Sequence, residues 1–202
     1  MSLPGGSEPP RALPPGQSLA RGWPVLHYGP VPSPRPAIWD LRVYGATQSG
    51  QSTRWSTEEF AALPRVEVVA DFHCVTKFSV IDRTWHGVPA SAVLDLVPPA
   101  AEATHVLVLA EYGYSAILPI TDLADSSVLL ATEVDGELLS AERGGPVRFV
   151  VPHRYAFKGP KWVRALEYLT SDQRGFWEER GYHNEADPWR EQRYSYQESE
   201  DG

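Results

Sequence analysis

The chain has 202 residues, 42% of them hydrophobic, and a net charge of -8. That length and apolar content fit one domain with tails and a real core, and the acidic balance argues against a nucleic-acid ligand. A single cysteine excludes a disulfide framework and fits a reducing compartment.

Ten of the nineteen prolines lie before Ala37. Residues 1–22 are expected as a Pro/Gly-rich tail, disordered or loosely draped. The opening MSLPGGSEPPRALPPG has no apolar signal core and no twin-arginine pair, and no apolar run is long enough to span a membrane. The expectation is a cytoplasmic protein without a membrane span. WPVLHYGPVPSPRP, from Trp23, mixes aromatic residues with proline and reads as an extended arm lying on the body.

The body, residues 23–170, reads as mostly β. Leu41 and Val43 alternate with polar residues in a strand ending at Gly45. Ser56 and Glu59 form a capping box that opens a short helix stopping before Pro64. Val66, Val68, Ala70 and Phe72 alternate as the inward face of a strand that carries Cys74. Val88-Pro89 opens a second short helix, to about Leu96. HVLVLA and YSAILPI form a hairpin, and Asp135-Gly136 turns a second one. PVRFVVP is an apolar strand, while KWVRALEYL fits strand or helical spacing. Residues 171–202 read as a short helix and a polar, aromatic extension packed on the domain. The sum is an α+β, mostly β mixed-sheet or barrel-like domain with short helices.

Two features carry chemistry. Cys74 cannot form an internal disulfide, so it serves packing or reactivity. Its polar neighbours His73, Thr76 and Lys77 make reactivity plausible chemistry. From Arg143 to Arg164 the chain carries Arg143, Arg148, Arg154, Lys158, Lys161 and Arg164, with His153 and no Asp or Glu. A basic island on an acidic chain suits a local anionic ligand; the alternative is a solvated basic face. Gly144, Gly145 and Gly159 let backbone approach a phosphate, but no Walker loop is present. Zinc would need several ligands at short spacing, and six scattered histidines with one cysteine do not supply them. A soft metal held mainly by an anionic cofactor explains both features together.

On these motifs the chain resembles the sulfite oxidase fold family of molybdopterin enzymes. It is closest to the small haem-free bacterial members typified by the molybdenum subunit of methionine sulfoxide reductase. WPVLHYGPVP resembles the family's N-terminal arm, which would put His27 and Tyr28 against the pterin. VADFHCVTKFS followed by WHGVP resembles the segment supplying the cysteine ligand of molybdenum, which puts that role on Cys74. ERGGPVRFVVPHRYAFKGPKWV resembles the signature that grips the pterin and its phosphate. That places Arg143, Arg148, Gly159, Pro160 and Lys161 at cofactor contacts. The resemblance implies a Mo-molybdopterin oxidoreductase moving an oxygen atom or electrons to or from a small substrate. An external electron-transfer partner of unknown identity would complete the cycle. His73, Arg143 and Tyr28 are candidates for tuning the metal or touching substrate. Leu26 stands where sulfite-oxidising members carry an arginine, so sulfite is not the expected substrate. Two other readings stand beside this one: a cofactor-free binding domain that kept the fold, and a thiol redox enzyme using Cys74 directly.

Overall fold

A computed structural model describes residues 12–33 and 38–199. Two mixed β-sheets face each other across the main core. The first contains β1 (Ser18–Leu19), β4 (Val66–His73), β5 (Phe78–Pro89), β8 (Leu129–Val134), β9 (Glu137–Leu138) and β10 (Arg148–Val150). The second runs in the order β3 (Thr53–Ser56), β2 (Asp40–Gly45), β11 (Val163–Leu169), β6 (His105–Ala110) and β7 (Ser115–Pro119). Leu41, Val43, Val106, Val108, Leu118 and Leu166 of the second sheet meet Val88, Leu130 and Phe149 of the first. The helices are short: α1 (Thr57–Ala61) and α2 (Ala90–Leu96).

The local signals explain these elements. Ser56 Oγ accepts from the Glu59 N–H, and Glu59 returns a carboxylate to the Ser56 N–H, closing the expected capping box at α1. Ser56→Ala should cost about 1 kcal/mol. Thermal unfolding should show it as a melting temperature lowered by roughly 2–4 °C. KWVRALEYL, ambiguous in spacing, is strand β11: it pairs parallel with β2 on one side and antiparallel with β6 on the other. Both edges are satisfied only as a strand. Asp40, at the start of β2, is buried, which opposes its charge. The Arg54, Arg164 and Arg42 guanidiniums more than offset this and hold its carboxyl well below the usual range.

Three expectations need correction. Residues 12–22, grouped with the N-terminal tail, include β1, which adds parallel to β5 at Phe78 and Ser79. Gln17 also donates its side-chain amide to the Cys74 carbonyl at 3.0 Å. Composition signalled a tail, but Ser18–Leu19, past the last proline of that tail, supplies backbone groups to an open sheet edge. Residues 1–11 lie outside the described residues. The long strand β5 and the short β3 were not anticipated: β5 is broken in pattern by Asp82, Arg83 and Gly87. The short helix expected in the C-terminal extension is a 3-10 turn at Glu178–Arg180, and a second 3-10 turn at Ser195–Ser199 was not anticipated.

The extension is bolted to the domain by charge. Lys158 and Glu178 form an ion pair at 2.7 Å with both side chains fully buried. Lys158 also donates to the Asn184 carbonyl at 2.7 Å, and Glu178 accepts from the Ile117 N–H at 3.1 Å. Around this pair, Val75, Tyr155, Phe157 and Ala186 form a separate apolar cluster with Trp177 and Tyr182.

Candidate functional site

A cavity of roughly 190 Å³ opens between that cluster and the outer face of the first sheet, where Trp23 packs with Phe72 and Trp85. Cys74 lies in its wall, 9% exposed. It is not within β4, as alternation suggested, but is the first residue past it. Its N–H donates to the Phe78 carbonyl and its carbonyl accepts from the Lys77 N–H, so it opens the tight turn joining β4 to β5. Lys77 takes a left-handed conformation, φ 74°, to close that turn. A bulge between Ala70 and Phe72 breaks the alternation, and beyond it Phe72 and Cys74 both reach the cavity. The thiol lies 3.1 Å from the Thr76 hydroxyl.

The basic island divides in two. Arg154 pairs with Asp122 and Glu185, Lys158 with Glu178, and Arg164 with Asp40 and Glu111. These three are structural. Arg143, Arg148 and Lys161 instead line the cavity with Cys74, and no carboxylate among the described residues pairs with them. Arg148 is 4% exposed, lies 4.8 Å over the Phe72 ring and donates to the Arg143 carbonyl at 3.2 Å. Burial lowers its pKa to about 10, and the Arg143 charge pushes the same way. Lys161 donates to the carbonyls of Glu142 and Leu26 at 2.6 and 2.8 Å. Burial, then the Arg148 and Arg143 charges, lower its pKa to about 7. Three basic groups gathered with no carboxylate in an ion pair with them are a standing cost that an anion would relieve.

Glycines make the crowding possible. Gly144 sits at φ 110°, and a Cβ there would lie 3.0 Å from Lys161 Cβ. A Cβ on Gly159, another cavity residue, would meet the Phe149 carbonyl oxygen at 2.6 Å.

Of the other residues singled out in the sequence, His27 and Tyr28 line the cavity from the arm, as does Leu26. Pro160 is buried with its carbonyl accepting from the Phe149 N–H, and it stands off the lining. His73 does not join the group. As the last residue of β4 it lies off the cavity that Cys74 lines, with Nδ1 2.8 Å from Ser79 Oγ and its ring centroid 6.4 Å from that of Trp189. It borders a separate recess of about 20 Å³.

Residue-level reading missed the aromatic walls: Trp23, Phe72, Tyr114, Phe157, Trp162, Trp177 and Tyr182. The abundance of Trp and Tyr was the only sequence signal for them. Tyr114 donates its phenol to the Phe157 carbonyl at 2.6 Å, and burial, with the Glu178 charge, raises its pKa well above the usual value. It therefore stays a neutral donor that fixes the 3-10 turn Ala156–Lys158. Among the described residues, no three His, Cys, Asp or Glu converge as a metal site. The same residues contain no helix long and apolar enough to cross a membrane.

Comparisons agree with this geometry. Residues 28–177 match the oxidoreductase molybdopterin-binding domain family. The uncharacterized oxidoreductase YuiH of Bacillus subtilis is 38% identical over 185 residues, covering 91% of this chain and 92% of that protein. A putative protein-methionine-sulfoxide reductase subunit, YedZ1, of Azospira oryzae is 31% identical over 63% of this chain and 48% of its own length. The protein-methionine-sulfoxide reductase catalytic subunit MsrP of Gluconobacter oxydans is 26% identical, over 76% and 55%. This chain thus spans nearly all of YuiH and about half of the other two. The sulfane dehydrogenase SoxCD of Paracoccus pantotrophus shares the fold, with a TM-score of 0.65 at 21% identity over 72% of this chain and 41% of that one. With 150 consecutive residues inside the match and this cavity at its centre, the chain belongs to the molybdopterin-binding oxidoreductase family and is an enzyme of the sulfite oxidase-like fold.

Proposed function

We propose that this enzyme binds a molybdenum–molybdopterin cofactor in the cavity, with Cys74 as the protein's ligand to the metal. In this reading it transfers an oxygen atom to or from a small substrate other than sulfite. One observation carries the proposal: the chain's single thiol lines the same cavity as Arg143, Arg148 and Lys161, with which no carboxylate among the described residues pairs. The donor set fits the group. One thiolate is a soft ligand suited to a metal whose remaining ligands come from its cofactor, and three cations suit a phosphate-bearing pterin. When bound, the cofactor supplies the redox and oxygen-transfer chemistry. The chain supplies placement: Cys74 from the rigid β4–β5 turn, charge from Arg143, Arg148 and Lys161, and close backbone approach at Gly159. The aromatic walls exclude water.

Leu26 is the reason for setting sulfite aside, because its side chain offers no charge for an oxyanion. The relatives named as methionine-sulfoxide reductases favour an oxygen-bearing substrate such as a sulfoxide. Steady-state assays of metallated enzyme test this: sulfoxide reduction with a reduced donor should exceed sulfite oxidation at least about tenfold. Sulfite turnover at tens per second with a micromolar KM, ordinary for a native substrate, would reverse the assignment.

The charge cluster gives the site a pH signature. Lys161 faces Arg148, Arg143, Glu142 and Cys74, and its pKa in the free protein is about 7. A phosphate beside it favours the ammonium form, so binding takes up a proton above pH 7. Affinity for molybdopterin should therefore fall as pH rises through 7, by up to about tenfold per unit. For the free protein the sign reverses. The unfolded chain binds more protons at Lys161 between about pH 7 and its normal value of 10.5, so this residue makes the fold more stable as pH rises there. Titrating cofactor-free protein with molybdopterin from pH 6 to 9 checks the first slope, and a flat profile would remove Lys161 from the phosphate site.

A further inference from the structure

Residues 23–28 cross the cavity from its basic side to the C-terminal extension. Among the described residues, no backbone-to-backbone hydrogen bond ties residues 21–33 to the body. Trp23 is the anchor, with its ring 5.5 Å from both Phe72 and Trp85 and the Arg143 guanidinium 4.2 Å over it. Beyond it the segment is held by side-chain contacts, among them the His27 ring with its centroid 5.9 Å from that of Trp162. Arg143 donates to the Trp23 and Pro24 carbonyls at 2.7 and 3.5 Å, and Lys161 to the Leu26 carbonyl at 2.8 Å. At the far end the Tyr28 ring meets Phe176 at 4.7 Å and Trp177 at 6.0 Å. Leu26 and Tyr28 are nonetheless 52% and 56% exposed, so burial holds the segment weakly. Cys74, on the same cavity, is 9% exposed. Residues 23–27 also precede the stretch that matches the family.

We propose that residues 24–28 are a strap, anchored at Trp23 and latched by Lys161 on one side and by Phe176 and Trp177 on the other, that lifts to let a bulky molecule reach Cys74. The cofactor reading says only what enters; the latch is a property of the chain alone. Lys161 and Arg143 spend hydrogen bonds on the strap's carbonyls, and opening releases those donors to an incoming anion. Loading and lifting are then linked through the same two side chains.

The lone cysteine makes this measurable without cofactor. Full-length protein from a host unable to make molybdopterin carries one thiol, so every label reports Cys74. The readout is its rate with a bulky neutral maleimide divided by its rate with a small methanethiosulfonate, a ratio that cancels changes in thiolate fraction. Tyr28→Ala removes ring contacts of an exposed residue, and Lys161→Met removes one latch donor. Each should raise the ratio by about tenfold with native circular dichroism, and Lys161→Arg should restore it toward wild type. Ratios within about twofold of wild type in both natively folded variants would overturn the strap. That result would leave the cofactor reading untouched, because no metal or pterin enters the measurement.

Discussion

Cys74→Ser is expected to fold normally and to lose catalysis. The side chain sits in a turn set by backbone hydrogen bonds to Phe78 and Lys77, and a serine hydroxyl can keep the contact with Thr76. Nothing in the fold requires sulfur. The metal of the proposed site would, because a neutral hydroxyl is a poor substitute for a thiolate toward a soft ion. Loss of outer partners of metal ligands costs about 10–100-fold, so loss of the protein's ligand itself should lower turnover by at least about a hundredfold. The absorption band from sulfur-to-molybdenum charge transfer should disappear as well. Far-UV circular dichroism, the visible spectrum and steady-state turnover check the three parts, and an unchanged spectrum with unchanged turnover would remove Cys74 from the metal.

Glu178→Ala is expected to be the most destabilising single change among the charged residues discussed. It leaves the Lys158 ammonium fully buried beside only the Asn184 carbonyl and strips the acceptor from the Ile117 N–H. Breaking a buried pair from one side costs about 3–5 kcal/mol. At roughly 2–4 °C per kcal/mol for a chain of this size, the melting temperature should fall by on the order of 10 °C. Burial already lowers the Lys158 pKa, with Glu178 opposing that shift. Without Glu178 the amine should release its proton more readily, and the damage should ease as pH rises. Lys158→Met with Glu178→Ala should recover part of the loss, although Ile117 remains without its acceptor. A single variant that melts within about 2 °C of wild type would show that the extension is not held by this pair.

The pair also explains why so much of the site was illegible in the sequence. Lys158 reads as one more member of the basic island, yet its partner lies twenty positions away in a segment that signals only polarity and aromatic content. Local grammar was readable: the capping box, both hairpins and the start of α2 beside Pro89 follow from short spacings that physics constrains. Thiol and cations were identified as separate features, a soft metal held by an anionic cofactor joined them, and the resemblance then gave that cofactor a class. What spacing could not supply was which cations remain without a carboxylate, because Arg154, Lys158 and Arg164 are removed by acids from Asp40 to Glu185. The bulge before Phe72 likewise has no mark in an alternating pattern, and it changes how Cys74 is presented. His73 shows the same limit from the other side, since adjacency in sequence to Cys74 does not bring it to the cavity.

The central claim is that the cavity joining Cys74 to Arg143, Arg148 and Lys161 holds a molybdenum–molybdopterin cofactor. It is tested most directly by elemental analysis of the purified full chain for molybdenum, paired with the fluorescence of its oxidised pterin. Expressed with ample molybdate and a working cofactor pathway, wild-type protein should carry molybdenum and pterin in equal amounts, near one per chain. The Arg148→Ala, Lys161→Ala double variant should carry far less of both, since each charge-assisted bond contributes about 1.5–3 kcal/mol. Wild-type protein that is folded yet contains neither molybdenum nor pterin under those conditions, or a double variant loaded as fully as wild type, would contradict the account.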